Sequence, residues 1–201
     1  MCMRVKSEAR RQAIIEVAKD AFIRQGFENT SMSEIASRVG GSKATLYNYF
    51  SSKEEIFAAV MESSATEKIA NAFKILEDSD DIRTTLTNFG MHYLHSILAP
   101  DIMAIRKMAL NEADRSDIGR HFYENGSKKG WELISNYLQK QIDQHNLSTC
   151  DAGICAMHLK ALLEAEVVEP YALGVITPPD ESQLIAIVSR AITVFLRAYQ
   201  P

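Results

Sequence analysis

The stretch Ser42-Lys43-Ala44-Thr45-Leu46-Tyr47-Asn48-Tyr49-Phe50 gathers a cation, several hydroxyls and an amide within nine residues. Their chemistry is hydrogen-bond recognition. Lys43 and Asn48 can read base edges in a major groove, and hydroxyls can hold phosphate. Leu46 and Phe50, four apart, share one helical face and can bury it. Ser42 opens that helix, and the free N–H groups at its start suit an anion. Thr30 and Ser31 begin the preceding helix and offer a second phosphate contact. Lys53 begins the following one and can hold the backbone on the other side.

Other groups suggest chemistry more weakly. His92 and His95 sit three apart with Asp101 beyond, but no third ligand is placed by spacing. The three cysteines, Cys2, Cys150 and Cys155, form neither a CxxC pair nor a zinc half-site. A redox role would need an exposed thiol of low pKa. No HExxH, GxSxG, GxGxxG or P-loop is present, so an enzyme is not expected, and no cofactor or metal is expected either.

The elements that must position the first group read as helices. Residues 7–25 carry Ile14, Val17, Ala18, Ala21 and Phe22 at helical spacing, and Gly26 is placed to end that helix in the left-handed conformation. Ser31 with Glu34 predicts a capping box, followed by Met32, Ile35, Ala36 and Val39 as a buried stripe. Gly40-Gly41 break the helix. Ser52 with Glu55 predicts a second box, opening a helix through Ile56, Phe57, Val60 and Met61 to about Leu76. Three helices, the last two joined by a tight glycine turn, make a helix-turn-helix.

After the polar break at 77–81, helical patterns cover about 82–98, 101–112, 116–144, 150–168 and 181–199. Gly126 and Gly130 interrupt the long one and predict a kink. The expectation is an all-α chain of about nine helices: a three-helix DNA-binding domain over 1–55, then a helical ligand-binding and dimerisation domain over 56–201. No apolar run approaches the ~20 residues that span a bilayer, so no membrane partner is expected and the chain reads as soluble and cytoplasmic.

Charge agrees. The formal net charge is -4, yet residues 1–53 hold nine Lys/Arg against five Asp/Glu, while the remainder holds 13 against 21. A basic end on an acidic body suits a small part that faces phosphate.

At this point the sequence resembles the TetR/AcrR family of bacterial regulators. The resemblance rests on Phe22, Gly26-Phe27, Thr30-Ser31-Met32, Ile35-Ala36, Gly40, Ser42-Lys43, Thr45-Leu46-Tyr47, Tyr49-Phe50 and Lys53-Glu54-Glu55. It implies a homodimer whose two recognition helices meet a near-palindromic operator about one DNA turn apart. It implies a helical C-terminal ligand domain and release from DNA when ligand binds. By position it implies DNA contacts at Lys43, Thr45, Tyr47, Asn48, Tyr49 and Lys53, with Thr30 and Ser31 on phosphate. One departure is Gly41, where the family commonly carries valine; glycine there implies a lost core contact and a looser turn.

In the larger part, Phe73, Phe89, Met91, Tyr93, Met103, Met108, Phe122, Tyr123, Trp131, Tyr137 and Met157 supply adaptable apolar surface, which favours a small hydrophobic or aromatic effector. His92, Met103, Phe122 and Trp131 are the expected wall residues. Helices 150–168 and 181–199 are apolar over much of their circumference, which predicts that they bury one face in their domain and another in a dimer. The rival reading is a DNA-binding regulator without a small ligand, controlled by a partner protein or by thiol oxidation.

Overall fold

Ile14, Ile15, Ala18 and Phe22 fall on one face of the first helix because 3.6 residues complete a turn, and that face is where the first core forms. The computed structural model describes residues 2–74 and 81–201, with side chains described over 8–63 and 81–201. The Cys2 side chain, the expected helix end near Leu76 and most of the polar break at 77–81 lie outside the described residues.

The first helix, α1 (Cys2–Asn29), is interrupted at Gly26, whose φ of 83° and ψ of 165° lie where only glycine sits easily. The positive φ is as expected; the extended ψ differs from a simple left-handed cap. α2 (Met32–Val39) ends at Gly40, φ 73° and ψ 47°. There the Gly40 N–H donates to Ser37 O (3.1 Å) and the Gly41 N–H to Ala36 O (3.0 Å). This paired closure satisfies two end carbonyls and stops the helix. α3 (Lys43–Tyr47) is a short helix capped by Ser42, and α4 (Lys53–Lys74) follows.

Their shared core brings Ile35, Ala36, Leu46, Phe50, Ile56, Phe57 and Val60 against the α1 face. Phe22, Phe27 and Phe57 form a ring triangle with centroids 5.3–5.5 Å apart. Edge-on and tilted contacts of this kind add about 0.5–1.5 kcal/mol per pair beyond burial. Ile105 and Ala109 from α6 (Pro100–Asn111), and Ile118 from α7 (Ile118–Phe122), complete this core. Pro100 stands first in α6, where its missing N–H costs nothing.

The second core is built by α5 (Ile82–Ile97), α8 (Lys129–Asp143), α9 (Ala152–Glu164), α10 (Val168–Ala172) and α11 (Glu181–Tyr199). α9 packs on α8 and α11, and α11 on α5. Asp81, Asp151 and Asp180 cap α5, α9 and α11, and Asp180 with Gln183 closes a full capping box. Gly90 permits a close approach: a Cβ there would lie 2.9 Å from Val188 Cγ1 and 3.0 Å from Leu163 Cδ2.

The expected helix over 116–144 runs as α7, a π-helical turn (Tyr123–Lys128) and α8. The interruption falls at Gly126, and a π turn is the form it takes. Counting that run as one helix, the described residues hold ten helices and no strand. They are the nine expected plus the short α10, which forms because α9 stops at Glu164 rather than reaching 168.

By packing, the chain divides into one unit of residues 1–65 with 104–126 and another of 66–103 with 127–201. The sequence boundary after residue 55 follows the motif, whereas the units follow burial. Val60, Met61, Ile105, Ala109 and Ile118 side with the first core because their apolar faces meet Ile14, Phe22 and Phe57 there.

Candidate nucleic-acid interface

The α2–turn–α3 segment is held by local hydrogen bonds and two buried anchors. Ser31 Oγ accepts from the Glu34 N–H (3.2 Å), and Ser42 Oγ accepts from the Thr45 N–H (3.0 Å). The Ser42 and Thr45 hydroxyls also share a hydrogen bond of 2.8 Å. Leu46 and Phe50 are buried and Tyr49 packs half-buried against the same core. With those faces spent, Lys43, Ala44, Tyr47 and Asn48 stand exposed on the outer side of α3. Tyr47 keeps 47% of its surface exposed, and Lys43 Nζ lies 5.9 Å from its ring centroid.

Both capping boxes close differently from expectation. Glu34 turns its carboxylate to Gln25 Nε2 (2.6 Å) and Arg38 (2.8 Å) instead of its own cap. Glu55 accepts from the N–H and hydroxyl of Ser51 (2.5 and 2.7 Å), one residue before the Ser52 cap. These bonds, led by the Ser51 hydroxyl, hold the Glu55 carboxyl below the usual glutamate value.

Two residues expected at phosphate are committed inside the domain. Thr30 is 1% exposed; its hydroxyl donates to Gly26 O (2.8 Å) and accepts from Gln25 Nε2 (3.2 Å). It fixes the turn between α1 and α2 instead of facing outward. Lys53 Nζ donates to Phe27 O (2.7 Å) and Glu28 O (3.4 Å) and lies 4.1 Å from the Phe27 ring centroid. Its ammonium closes the same turn. Ser31 remains exposed. Position 41 is exposed too, so no core contact is missing there, and the implication drawn from the absent valine does not apply.

Sequence reasoning missed Arg10. Its Nη2 donates to Gly40 O at 3.0 Å, tying α1 to the glycine turn thirty residues away. The basic run flags Arg10 as charged but does not say what it grips. Glu112 was also missed. It is buried, and burial first, then the Glu28 charge and a hydrogen bond with Glu28, push its carboxyl up, against the opposing pull of Arg115 and Lys53.

The four expected effector-wall residues divide between the two cores and the surface. Met103 and Trp131 are buried in the second core, Phe122 packs against the first, and His92 is exposed with Nδ1 on Asn88 O (2.9 Å). Helical periodicity says that a face is apolar, not which core it joins. His95 pairs with Glu181 at 2.9 Å. Cys150 is half-buried; Cys155 is buried, and burial with the neighbouring Cys150 pushes its thiol up to about 12. That is the opposite of a reactive, low-pKa thiol. α11 alone among the described helices is long and apolar enough to cross a membrane, yet Leu184, Val188, Ala191, Ile192 and Phe195 put one side of it in the second core.

Comparison with known proteins supplies the family. Residues 14–60 match the family model "Bacterial regulatory proteins, tetR family", and residues 84–201 match "AefR-like transcriptional repressor, C-terminal domain". The chain is 30% identical over 143 residues to the uncharacterized HTH-type transcriptional regulator YfiR of Bacillus subtilis, covering 68% of this chain and 67% of that one. Among solved structures it resembles a TetR-family transcriptional regulator from Mesorhizobium loti, with TM-score 0.88 at 25% identity over 97% of this chain and 98% of that one. It also resembles the flavonoid-responsive regulator FrrA, with TM-score 0.83 at 28% identity over 96% and 98%. An exposed polar face on α3, set on an all-helical chain whose two parts both match the family, leads to one conclusion: this chain belongs to the TetR family of DNA-binding transcriptional regulators.

Proposed function

We propose that the protein is a homodimeric repressor that binds a near-palindromic operator and leaves it when an aromatic effector occupies its C-terminal part, working in the bacterial cytoplasm. The observation that carries the DNA half is the outer face of α3, where Lys43, Tyr47 and Asn48 are exposed while Leu46 and Phe50 anchor the helix. Lys43 and Asn48 take base edges, Thr45, Tyr47 and Tyr49 complete the contact, and Ser31 with the start of α2 takes phosphate. Thr30 and Lys53 act one step behind, by holding the turn that aims α2. On this reading residues 1–55 are the DNA-binding domain and 56–201 the effector and dimer domain.

Repression is supported by the AefR-like repressor model over 84–201, and a flavonoid-like effector by the likeness to FrrA. Dimerisation through 150–168 and 181–199 is supported by exposed apolar side chains on α9 and α11: Ile154 and Met157 on one, Ile185 and Val194 on the other. Unpartnered aliphatic groups on two packed helices suit a symmetric four-helix contact.

The test is a footprint on the promoter of the protein's own gene, repeated with flavonoids, alongside sedimentation of the protein at micromolar concentration. A protected palindrome, loss of protection with flavonoid and a dimeric mass are expected. Absence of any protected site would overturn the regulator reading of this face, and a monomer would overturn the interface.

A further inference from the structure

Along α6, Ile105, Met108 and Ala109 share one face and pack it into the first core. Glu112 continues that face. It stands one residue past α6, yet its N–H still donates to Met108 O (3.0 Å), which keeps the helical register. Its surface is only 5% exposed. A carboxylate at a position that the pattern gives to an apolar residue is costly unless it is paired or protonated.

The neighbour of Glu112 is another carboxyl. Its side chain shares a hydrogen bond with that of Glu28, which is exposed on α1 between Gly26 and Thr30. Two ionised carboxylates can only accept hydrogen bonds, so this contact exists only while the pair holds a proton. Two cations face it, Arg115 beyond α6 and Lys53 at the start of α4, and both favour the ionised form of Glu112. Lys53 is engaged elsewhere: its ammonium donates to Phe27 O (2.7 Å) and Glu28 O (3.4 Å). All four residues belong to the first packing unit. The segment 26–30 is therefore held from three sides. The Thr30 hydroxyl bonds to Gly26 O within it, Lys53 grips it from α4, and Glu112 reaches it from the end of α6.

We infer that Glu112 is a positioning residue for DNA binding: through a proton shared with Glu28 it fixes, from α6, the turn that aims α2, so that operator binding takes up a proton and weakens as pH rises. This rests on the DNA-binding reading of α2 and α3 proposed above. With the proton in place, the two carboxyls are joined and Lys53 stays on the turn. Without it they repel, and Glu112 competes for the ammonium that closes the turn at Phe27 O.

The sign follows from the pair. Burial first, then the Glu28 charge, push the Glu112 carboxyl above its ordinary value. The protonated pair is the binding form, so affinity is full below the folded value and falls as pH rises through it. No histidine precedes His92, so residues 1–91 hold no side chain whose ordinary value lies between about pH 5 and 8. A pH response of the DNA-reading helices in that range points to this pair.

The experiment measures binding of the full chain to a duplex from the promoter of its own gene, with a scrambled duplex as control. Fluorescence anisotropy is read from about pH 5.5 to about pH 8 at fixed ionic strength, with the fold followed by circular dichroism in each buffer. The wild-type affinity is expected to fall about fivefold or more across this range. Glu112→Gln keeps a donor for Glu28 but has no proton to lose, so it should bind tightly with a flat profile. Glu28→Gln, changed at an exposed position, should be flat as well, and it is read in place of Glu112→Gln if that variant does not fold. Glu112→Ala should bind more weakly than the acid-side wild type at every pH. A merely structural glutamate would change the melting temperature of these variants and leave their pH profiles like that of the wild type. If the wild type binds equally well throughout, or Glu112→Gln falls with pH as the wild type does, the Glu112 assignment is overturned while the DNA-binding reading stands. If the wild type prefers the promoter duplex over the scrambled one at no pH, the two fall together.

Discussion

Arg10 and Gly40 are joined by a hydrogen bond of 3.0 Å from the guanidinium to the carbonyl, so the first helix grips the turn from which α3 projects. α3 itself has five residues and little stability of its own. Its direction depends on Leu46 and Phe50 below and on this clamp behind. Arg10→Ala should lower operator affinity severalfold while costing about 0.5–1 kcal/mol of stability, the scale of one solvent-exposed hydrogen bond. Gel-shift titration beside urea denaturation checks both, and an unaltered affinity would discard the clamp.

Gly41 should tolerate a side chain where Gly40 should not. Gly40 has φ 73° and pays no penalty only as glycine, whereas Gly41 is outside the left-handed region and a Cβ there would meet Arg10 Nη2 at 3.0 Å, the movable end of a long side chain. Gly41→Ala is expected to be near neutral, because the gain of about 0.5 kcal/mol from a less flexible unfolded chain is offset by crowding the Arg10 Nη2 that bonds Gly40 O. Gly40→Ala is expected to lose about 1 kcal/mol. Thermal melts should show the Gly40 variant clearly below the Gly41 variant.

Lys43 is exposed on α3, and its near neighbour in the structure is the Tyr47 ring. Lys43→Ala should weaken operator binding with no loss of thermal stability, and a phosphate role would also reduce the slope of log affinity against log salt by about one. Titrations at several salt concentrations separate base reading, which changes sequence preference, from phosphate contact, which changes the slope. An affinity equal to wild type at physiological salt would remove Lys43 from the interface.

Glu112 carries a pH signature of unusual sign. Its carboxyl is pushed above the ordinary 4.5 by burial and by Glu28, so the folded protein holds this proton longer than the unfolded chain does. Its contribution is full below about pH 4.5 and is lost as pH rises through the higher folded value. Asp81 and Asp180 behave oppositely: hydrogen bonds from the Thr84 hydroxyl and the Gln183 N–H hold their carboxyls low, and that stability is lost on acidification. Glu112→Gln should therefore be more stable than wild type at neutral pH, with the gap closing toward pH 4. Denaturation midpoints across that range test it; a gap that widens on acidification would contradict the burial argument.

Gly90 is where α5 lies closest to its neighbours. Alanine would place Cβ 2.9 Å from Val188 Cγ1, in a packed core with no space to yield. Overpacking of about 1–3 kcal/mol should exceed the ~1 kcal/mol gain in helix propensity. A fall in melting temperature of a few degrees is expected, recovered in part by adding Val188→Ala. An unchanged Gly90→Ala melt would mean that the helices part at little cost.

Much of this protein is local and could be read directly from residue order. Helix faces repeat every few residues, Ser42 and Asp180 cap helices within their own first turn, and Gly40 ends α2 through backbone geometry that few other residues accept. That is why the nine helices, the inward turn of Leu46 and Phe50 on α3, and the family resemblance were all legible from the sequence. Long-range commitments were not. Lys53 and Thr30 have the chemistry to hold phosphate, but their tips bond to the Phe27 and Gly26 carbonyls. Arg10 finds its partner thirty residues on, and Phe122 and Trp131, nine residues apart, enter different cores. A side chain's type states which bonds it can make. Only the folded arrangement decides which partner is within 3 Å.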